Sequence, residues 1–195
     1  MHAFDYLVTL FSFVFAMAIA HVLATLGDMV VASRRLTFSW LNAGWTAAVL
    51  LGVIAWWLGI WDLRKQDSWP TIAIAFFFGA ACGLYVLARI ACPRIPAEGP
   101  IDAREFHRLE GRKYMFGYAA FAAFSVFTNT YFGMVTGATS SAGSWVSQNA
   151  AIIPMAIAAF AGGMLPNRRV QAVAVLVVLA MWVWYFWTLQ GALTG

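Results

Sequence analysis

The sequence predicts an all-α polytopic membrane protein, a compact bundle of six transmembrane helices joined by short loops. Three observations carry that expectation. Of the 195 residues, 63% are hydrophobic and 10% charged, against about 45–50% and about 25% in a soluble domain. A soluble chain of this length lacks the polar surface to cover so much apolar mass. Six stretches approach the ~20 apolar residues that a helix needs to cross a bilayer. Lys and Arg gather on one set of the connections between those stretches. Composition excludes a soluble enzyme, a disordered chain and a secreted disulfide scaffold.

The expected spans are residues 4–26, 38–61, 70–92, 114–135, 145–165 and 170–189, making 1–195 a single transmembrane domain. The first span contains Ala18-Ile-Ala20, which imitates a signal-cleavage site. The residues before it hold Asp5 and no Lys or Arg, whereas a signal peptide needs a positive n-region. A retained helix is expected. Its small and polar residues Asp5, Thr9, Ser12, Ala16 and Ala20 form one stripe, suited to close packing. His21, Thr25 and Asp28 share a roughly opposite face. Asp28 lies about 10 Å along the axis from His21, so pairing would need Thr25 or water between them. Three roles are open to His21: an interhelical hydrogen bond, a pH sensor, or an axial ligand to a haem or chlorin pigment. His2 and His107 fall in aqueous flanks, which disfavours a two-histidine haem.

The second span carries Gly44, Ala48 and Gly52 at four-residue spacing, and the third carries Gly79-xxx-Gly83. Both patterns suit close helix contacts in lipid. Cys82 and Cys92 are about 15 Å apart on one helix, too far to bridge, and are read as small buried hydrophobes. Between the third and fourth spans, Pro93, Pro96 and Pro100 resist helix. Asp102 then caps a short amphipathic helix over 102–110, with Glu105 completing a capping box. Phe106 and Leu109 form its apolar face, laid on the inner leaflet or docked to a partner.

The fourth span is the most polar. Tyr114, Tyr118, Ser125, Thr128 and Asn129 fall on one face. Such a stripe should avoid lipid, and either lines a polar path or bonds to other helices. An uncharged segment follows, Thr136-Gly137-Ala138-Thr139-Ser140-Ser141-Ala142-Gly143-Ser144, and then Ser147, Gln148 and Asn149. It reads as a surface turn or as the mouth of such a path. The fifth span has Ala150, Pro154, Ala158 and Gly162 in one stripe, beside Ala159 and Gly163, and Pro154 should kink it. The sixth matches the second at an offset of 126, pairing Ala48, Val49 and Trp56 with Ala174, Val175 and Trp182. That match is read as shared composition.

Orientation follows from charge. Arg34, Arg35, Arg94, Arg104, Arg108, Arg112, Lys113, Arg168 and Arg169 sit on the connections after the first, third and fifth spans. The other side holds Arg64 and Lys65. The basic side is expected in the cytoplasm of a bacterial inner membrane, with both termini outside. Trp40 and Trp45 would mark the inner interface. Trp56, Trp57, Trp61, Trp69, Trp182, Trp184 and Trp187 would mark the outer one.

Six short spans resemble, in architecture alone, the substrate-binding subunits of bacterial vitamin transporters. The run Trp56-Trp57-Leu58-Gly59-Ile60-Trp61-Asp62 is similar to the tryptophan-rich segment of haem-handling cytochrome c maturation proteins. That family flanks the segment with histidines, which this chain lacks, so the function does not carry over.

No Asp, Glu or Lys lies deep in a span. The chain therefore lacks the Lys of a retinal Schiff base, the carboxylates of an ion-driven carrier, and any catalytic constellation. A non-enzyme without cofactor, metal or nucleic-acid partner is expected. The leading expectation is a homo-oligomeric pore or small transporter for an ion or small solute. The alternative is a non-catalytic subunit of a larger membrane complex.

Overall fold

A computed structural model describes residues 3–60, 71–135 and 141–193. Seven helices make up nearly all of this: α1 (Ala3–Val31), α2 (Trp40–Gly59), α3 (Thr71–Ala91), α4 (Ala103–Val135), α5 (Ala142–Asn149), α6 (Ile152–Met164) and α7 (Arg168–Leu193). Four of them, over Tyr6–Val31, Trp40–Gly59, Thr71–Ala91 and Arg168–Leu189, are long and apolar enough to cross a membrane. The bent pair α5 and α6 makes a fifth if the two are counted as one span. The expected fourth span falls in α4, which is long enough at about 50 Å but too polar to pass on composition. Its own stripe of Tyr, Ser, Thr and Asn dilutes the apolar residues. Trp61, Trp69, Arg64, Lys65, His2 and residues 136–140 lie outside the described residues.

The chain forms two compact units, residues 1–111 and 112–195, with α4 running through the division. In the first unit α1 packs on α3, and α2 packs on both. The buried stripe of α1 is Leu7, Phe11, Phe15, Ala18, Val22, Thr25 and Met29, three or four residues apart as one helix face requires. Phe11 stacks on Phe77, and Trp56 meets Phe77 edge-on. In the small stripe expected to pack closely, Thr9, Ala16 and Ala20 are exposed, while Ser12 is half-buried and its Oγ accepts from Trp57 Nε1 at 3.2 Å. Large apolar side chains remove more surface than small ones, and they have taken the inward face. Gly79 also faces open space, whereas Ala48 and Gly52 are buried as expected.

Both basic connections of this unit lie side by side. Strand β1 (Leu36–Thr37) pairs in parallel with β2 (Ile101–Asp102). Arg35 Nη1 donates to the Gly99 carbonyl at 2.9 Å, and Arg104 Nε to the Phe38 carbonyl at 3.1 Å. Gly99 has φ of 89°, a left-handed conformation that suits glycine and turns the chain ahead of Pro100. Two polar side chains then tie α2 to the end of α3. Asn42 Nδ2 and Thr46 Oγ1 donate to the Ala91 carbonyl at 2.9 and 3.3 Å, satisfying a carbonyl that a helix end leaves orphaned.

Asp102 caps α4 as expected, accepting from the backbone amides of Arg104 and Glu105 at 2.9 and 3.0 Å. Two expectations for 102–110 do not hold. The segment is the start of the 33-residue α4, because Gly111 costs only about 1 kcal/mol within a helix and does not end it. Glu105 binds Arg108 Nε at 2.7 Å.

In the second unit α6 and α7 form the closest pair. A Cβ on Gly162 would stand 3.1 Å from the Ala174 Cβ and 3.0 Å from Met115 Sδ. One on Gly163 would meet the Phe116 ring at 3.0–3.2 Å. The absence of side chains at these two glycines is what permits the approach. Arg112 Nε donates to the Gly163 carbonyl at 3.1 Å, closing the end of α6.

Candidate functional site

The fifth expected span is broken, not merely kinked. The α5 and α6 axes differ by 55° across Ala150 and Ala151. Proline explains where the break falls. Pro154 has no N–H to return to the Ala150 carbonyl, and its ring crowds that same carbonyl four residues back. The next amide, Met155, donates to Ala151 at 3.4 Å. Upstream, α5 opens on a capping box: Ser141 Oγ accepts from the Ser144 amide at 3.2 Å, and Ser144 Oγ from the Ser141 amide at 3.1 Å. The part of the expected mouth over 141–144 is thus helix start.

Asn149 stands at this break and is fully buried. Its Nδ2 donates to the Trp145 carbonyl at 3.0 Å, and its Oδ1 accepts from Asn129 Nδ2 on α4 at 3.5 Å. One turn away, Trp145 Nε1 donates to Thr130 Oγ1 at 2.8 Å. Side chains on α4 and α5 therefore meet through two uncharged polar links. Residues 114–135 and 141–165 contain no Asp, Glu, Lys, Arg or His.

The expected stripe on α4 turns inward. Tyr114, Tyr118, Ser125 and Thr128 are buried, and Asn129 is half-buried. Ser125 Oγ donates to the Phe121 carbonyl at 3.0 Å, and Thr128 Oγ1 to the Ser125 carbonyl at 3.0 Å. The Tyr118 hydroxyl accepts from Trp182 Nε1 at 2.8 Å and lies 3.6 Å from Met155 Sδ. Trp182 is consequently an internal side chain, not a belt residue, while Trp184 and Trp187 are exposed. Trp45, expected at the inner interface, is likewise wholly buried. Position in the sequence cannot separate an indole that faces lipid from one that faces a neighbouring helix.

The His21 face does not assemble as a relay. Arg89 on α3 donates from Nη1 to His21 Nδ1 at 3.2 Å, which places the ring proton on Nε2. Nε2 is buried without a hydrogen-bond partner among the described residues. Thr25 Oγ1 turns back to the His21 carbonyl at 3.0 Å, and Asp28 is exposed. One ring nitrogen faces Arg89 and the other is covered by protein. A haem or chlorin could reach His21 only if the ring turned.

At the start of α4 the buried side chain is His107, not an aqueous one as expected. It lines up with buried Ala103 four residues earlier. Phe106 is half-buried and Leu109 is 58% exposed. Arg108 holds the Glu105 carboxyl below the usual carboxylate range through their hydrogen bond. Among the described residues, no three His, Cys, Asp or Glu side chains gather as a metal site.

Comparison with protein-family models, with curated proteins and with solved structures finds no match.

Proposed function

We propose that this chain is a six-span transporter or pore for a small solute, with its polar path along α4 beside the broken α5–α6 segment. In this reading α4 is the sixth span, its polar face turned away from lipid. The observation that carries the reading is the buried Asn149 at a helix break, linked to Asn129 on the polar face of α4. Interrupted helices with freed backbone groups are where membrane transport proteins commonly place their solute sites. The basic connections face the cytoplasm and both termini lie outside, which the pairing of two of those connections supports.

The test is solute flux into liposomes containing the purified protein. Replacing Thr128 and Asn129 together by Leu should cut flux at least about tenfold, the value of one lost hydrogen bond at the solute. Circular dichroism and gel filtration should stay unchanged. Full flux in a folded double variant would remove α4 from the path.

A second reading is favoured by the outward small residues Thr9, Ala16, Ala20 and Gly79. Exposed small-residue faces are where helices associate in lipid. They fit contact with further copies of this chain, or with another subunit of a complex. Crosslinking through cysteines at Ala16 and Ala20 in native membranes should yield a ladder of identical copies or one mixed product. Uncrosslinked chains only would discard it.

A further inference from the structure

We propose that the break between α5 and α6 binds a small uncharged solute carrying a primary amide or urea group, which takes the place of the Asn129–Asn149 link. This rests on the path described above and names the solute class for it.

Four observations point the same way. First, the Asn149 side chain is fully buried, yet its two ends are unequally satisfied. Nδ2 makes a 3.0 Å bond to the Trp145 carbonyl, whereas among the described residues Oδ1 has the 3.5 Å contact from Asn129 alone. A contact of that length lies at the outer edge of hydrogen bonding, and a buried acceptor gains from a better donor. Second, Asn129 is half-buried, and among the described residues its side chain makes that one bond. Its amide oxygen and second amide proton have no partner among the described residues. Third, Pro154 leaves the carbonyl of Ala150, the residue after Asn149, without its helical amide. That carbonyl is a further acceptor beside the pair. Fourth, no Asp, Glu, Lys, Arg or His occurs in 114–135 or 141–165.

The fourth point selects the class. An ionic solute entering here would give up its hydration with no opposite charge to meet it, which is costly in a low-dielectric interior. A neutral amide suffers no such penalty. Its N–H groups suit Asn149 Oδ1 and the Ala150 carbonyl, and its C=O suits the Asn129 amide protons. The two asparagines already form a primary amide pair, so each side chain stands where an amide solute would bond to the other.

The experiment has two readouts on the whole protein in lipid. In the first, stopped-flow light scattering follows acetamide and urea entry into proteoliposomes, with acetate and methylammonium as charged counterparts of similar size. In the second, side-chain amide resonances of 15N-labelled protein in nanodiscs are followed as acetamide is added, with Asn129→Ala and Asn149→Ala assigning the pair. Entry of acetamide and urea clearly faster than in protein-free vesicles is expected. Asn129→Ala should remove most of the gain, and the Asn129 and Asn149 resonances should shift together. Asn129 is half-buried, so that variant should fold if Asn149→Ala does not. Amide shifts without flux would uphold the site and overturn the path. Flux of the charged solutes alone, or flux with unmoved asparagine resonances, would overturn the site and leave the path standing.

Discussion

Two glycines in apparently similar motifs should respond to alanine in opposite senses. Gly162 lies on the buried face of α6, and Gly79 lies in Gly79-xxx-Gly83 on α3. Both are helical, so both gain about 1 kcal/mol of helix propensity on becoming Ala. The surroundings differ. At Gly79 nothing lies within 4 Å of an added Cβ. At Gly162 the new atom would sit 3.1 Å from the Ala174 Cβ and 3.0 Å from Met115 Sδ. Methionine can swing aside. Ala174 Cβ is fixed to the α7 backbone, so relief requires the helices to separate by a few tenths of an ångström. Overpacking of this kind costs about 1–3 kcal/mol. Gly79→Ala should therefore stabilise by about 1 kcal/mol, and Gly162→Ala should be neutral or destabilise by up to about 2 kcal/mol. Their difference cancels propensity and isolates the packing cost. Reversible unfolding in mixed micelles, followed by circular dichroism at dilutions that separate copies, measures it. Ala174→Gly should cost less in the Gly162→Ala background than in the native chain, because it removes the clashing Cβ. A difference below about 0.5 kcal/mol, or purely additive effects of the two substitutions, would refute the claim that glycine sets the α6–α7 distance.

Other expectations are independent of this one. Trp182→Phe removes the donor to the buried Tyr118 hydroxyl and should cost about 1–2 kcal/mol, whereas Trp187→Phe at an exposed position should stay within about 0.5 kcal/mol; equal losses would return Trp182 to the lipid belt. Pro154→Ala restores an amide for the Ala150 carbonyl, so the 55° bend should shrink and lengthen the distance between spin labels at Val146 and Ile157, and an unchanged distance would mean that the bend has another cause. Because Arg108 lowers the Glu105 pKa, the pair contributes above the ordinary carboxylate range and is lost as pH falls through the lowered value. Carboxyl NMR should find the Glu105 midpoint below that range and moved upward in Arg108→Ala, and identical midpoints would deny the pairing in solution.

The α4 stripe was readable because helical period alone places Tyr114, Tyr118, Ser125, Thr128 and Asn129 on one face, and a polar face avoids lipid. The break at Asn149 was half readable. Pro154 announces a disturbance, but its size depends on what fills the space beside it. Asn42, Thr46 and Trp145 drew no attention in the sequence, since a single polar side chain near a helix end has many routine uses. Only the carbonyl of Ala91, 49 residues from Asn42, and the hydroxyl of Thr130 give them a role.

The sequence by itself determined the helical class, several segments long and apolar enough to cross a membrane, and the Asp102 cap. Each rests on local composition or on a spacing of a few residues. Tertiary structure decided which face of each helix is inside. It buried Trp45, Trp182 and His107, turned Thr9, Ala16 and Ala20 outward, gave His21 to Arg89, and paired Asn129 with Asn149. Helical periodicity is a property of one segment. Burial depends on which segment arrives opposite, and the contacts that decide it join residues far apart in the chain.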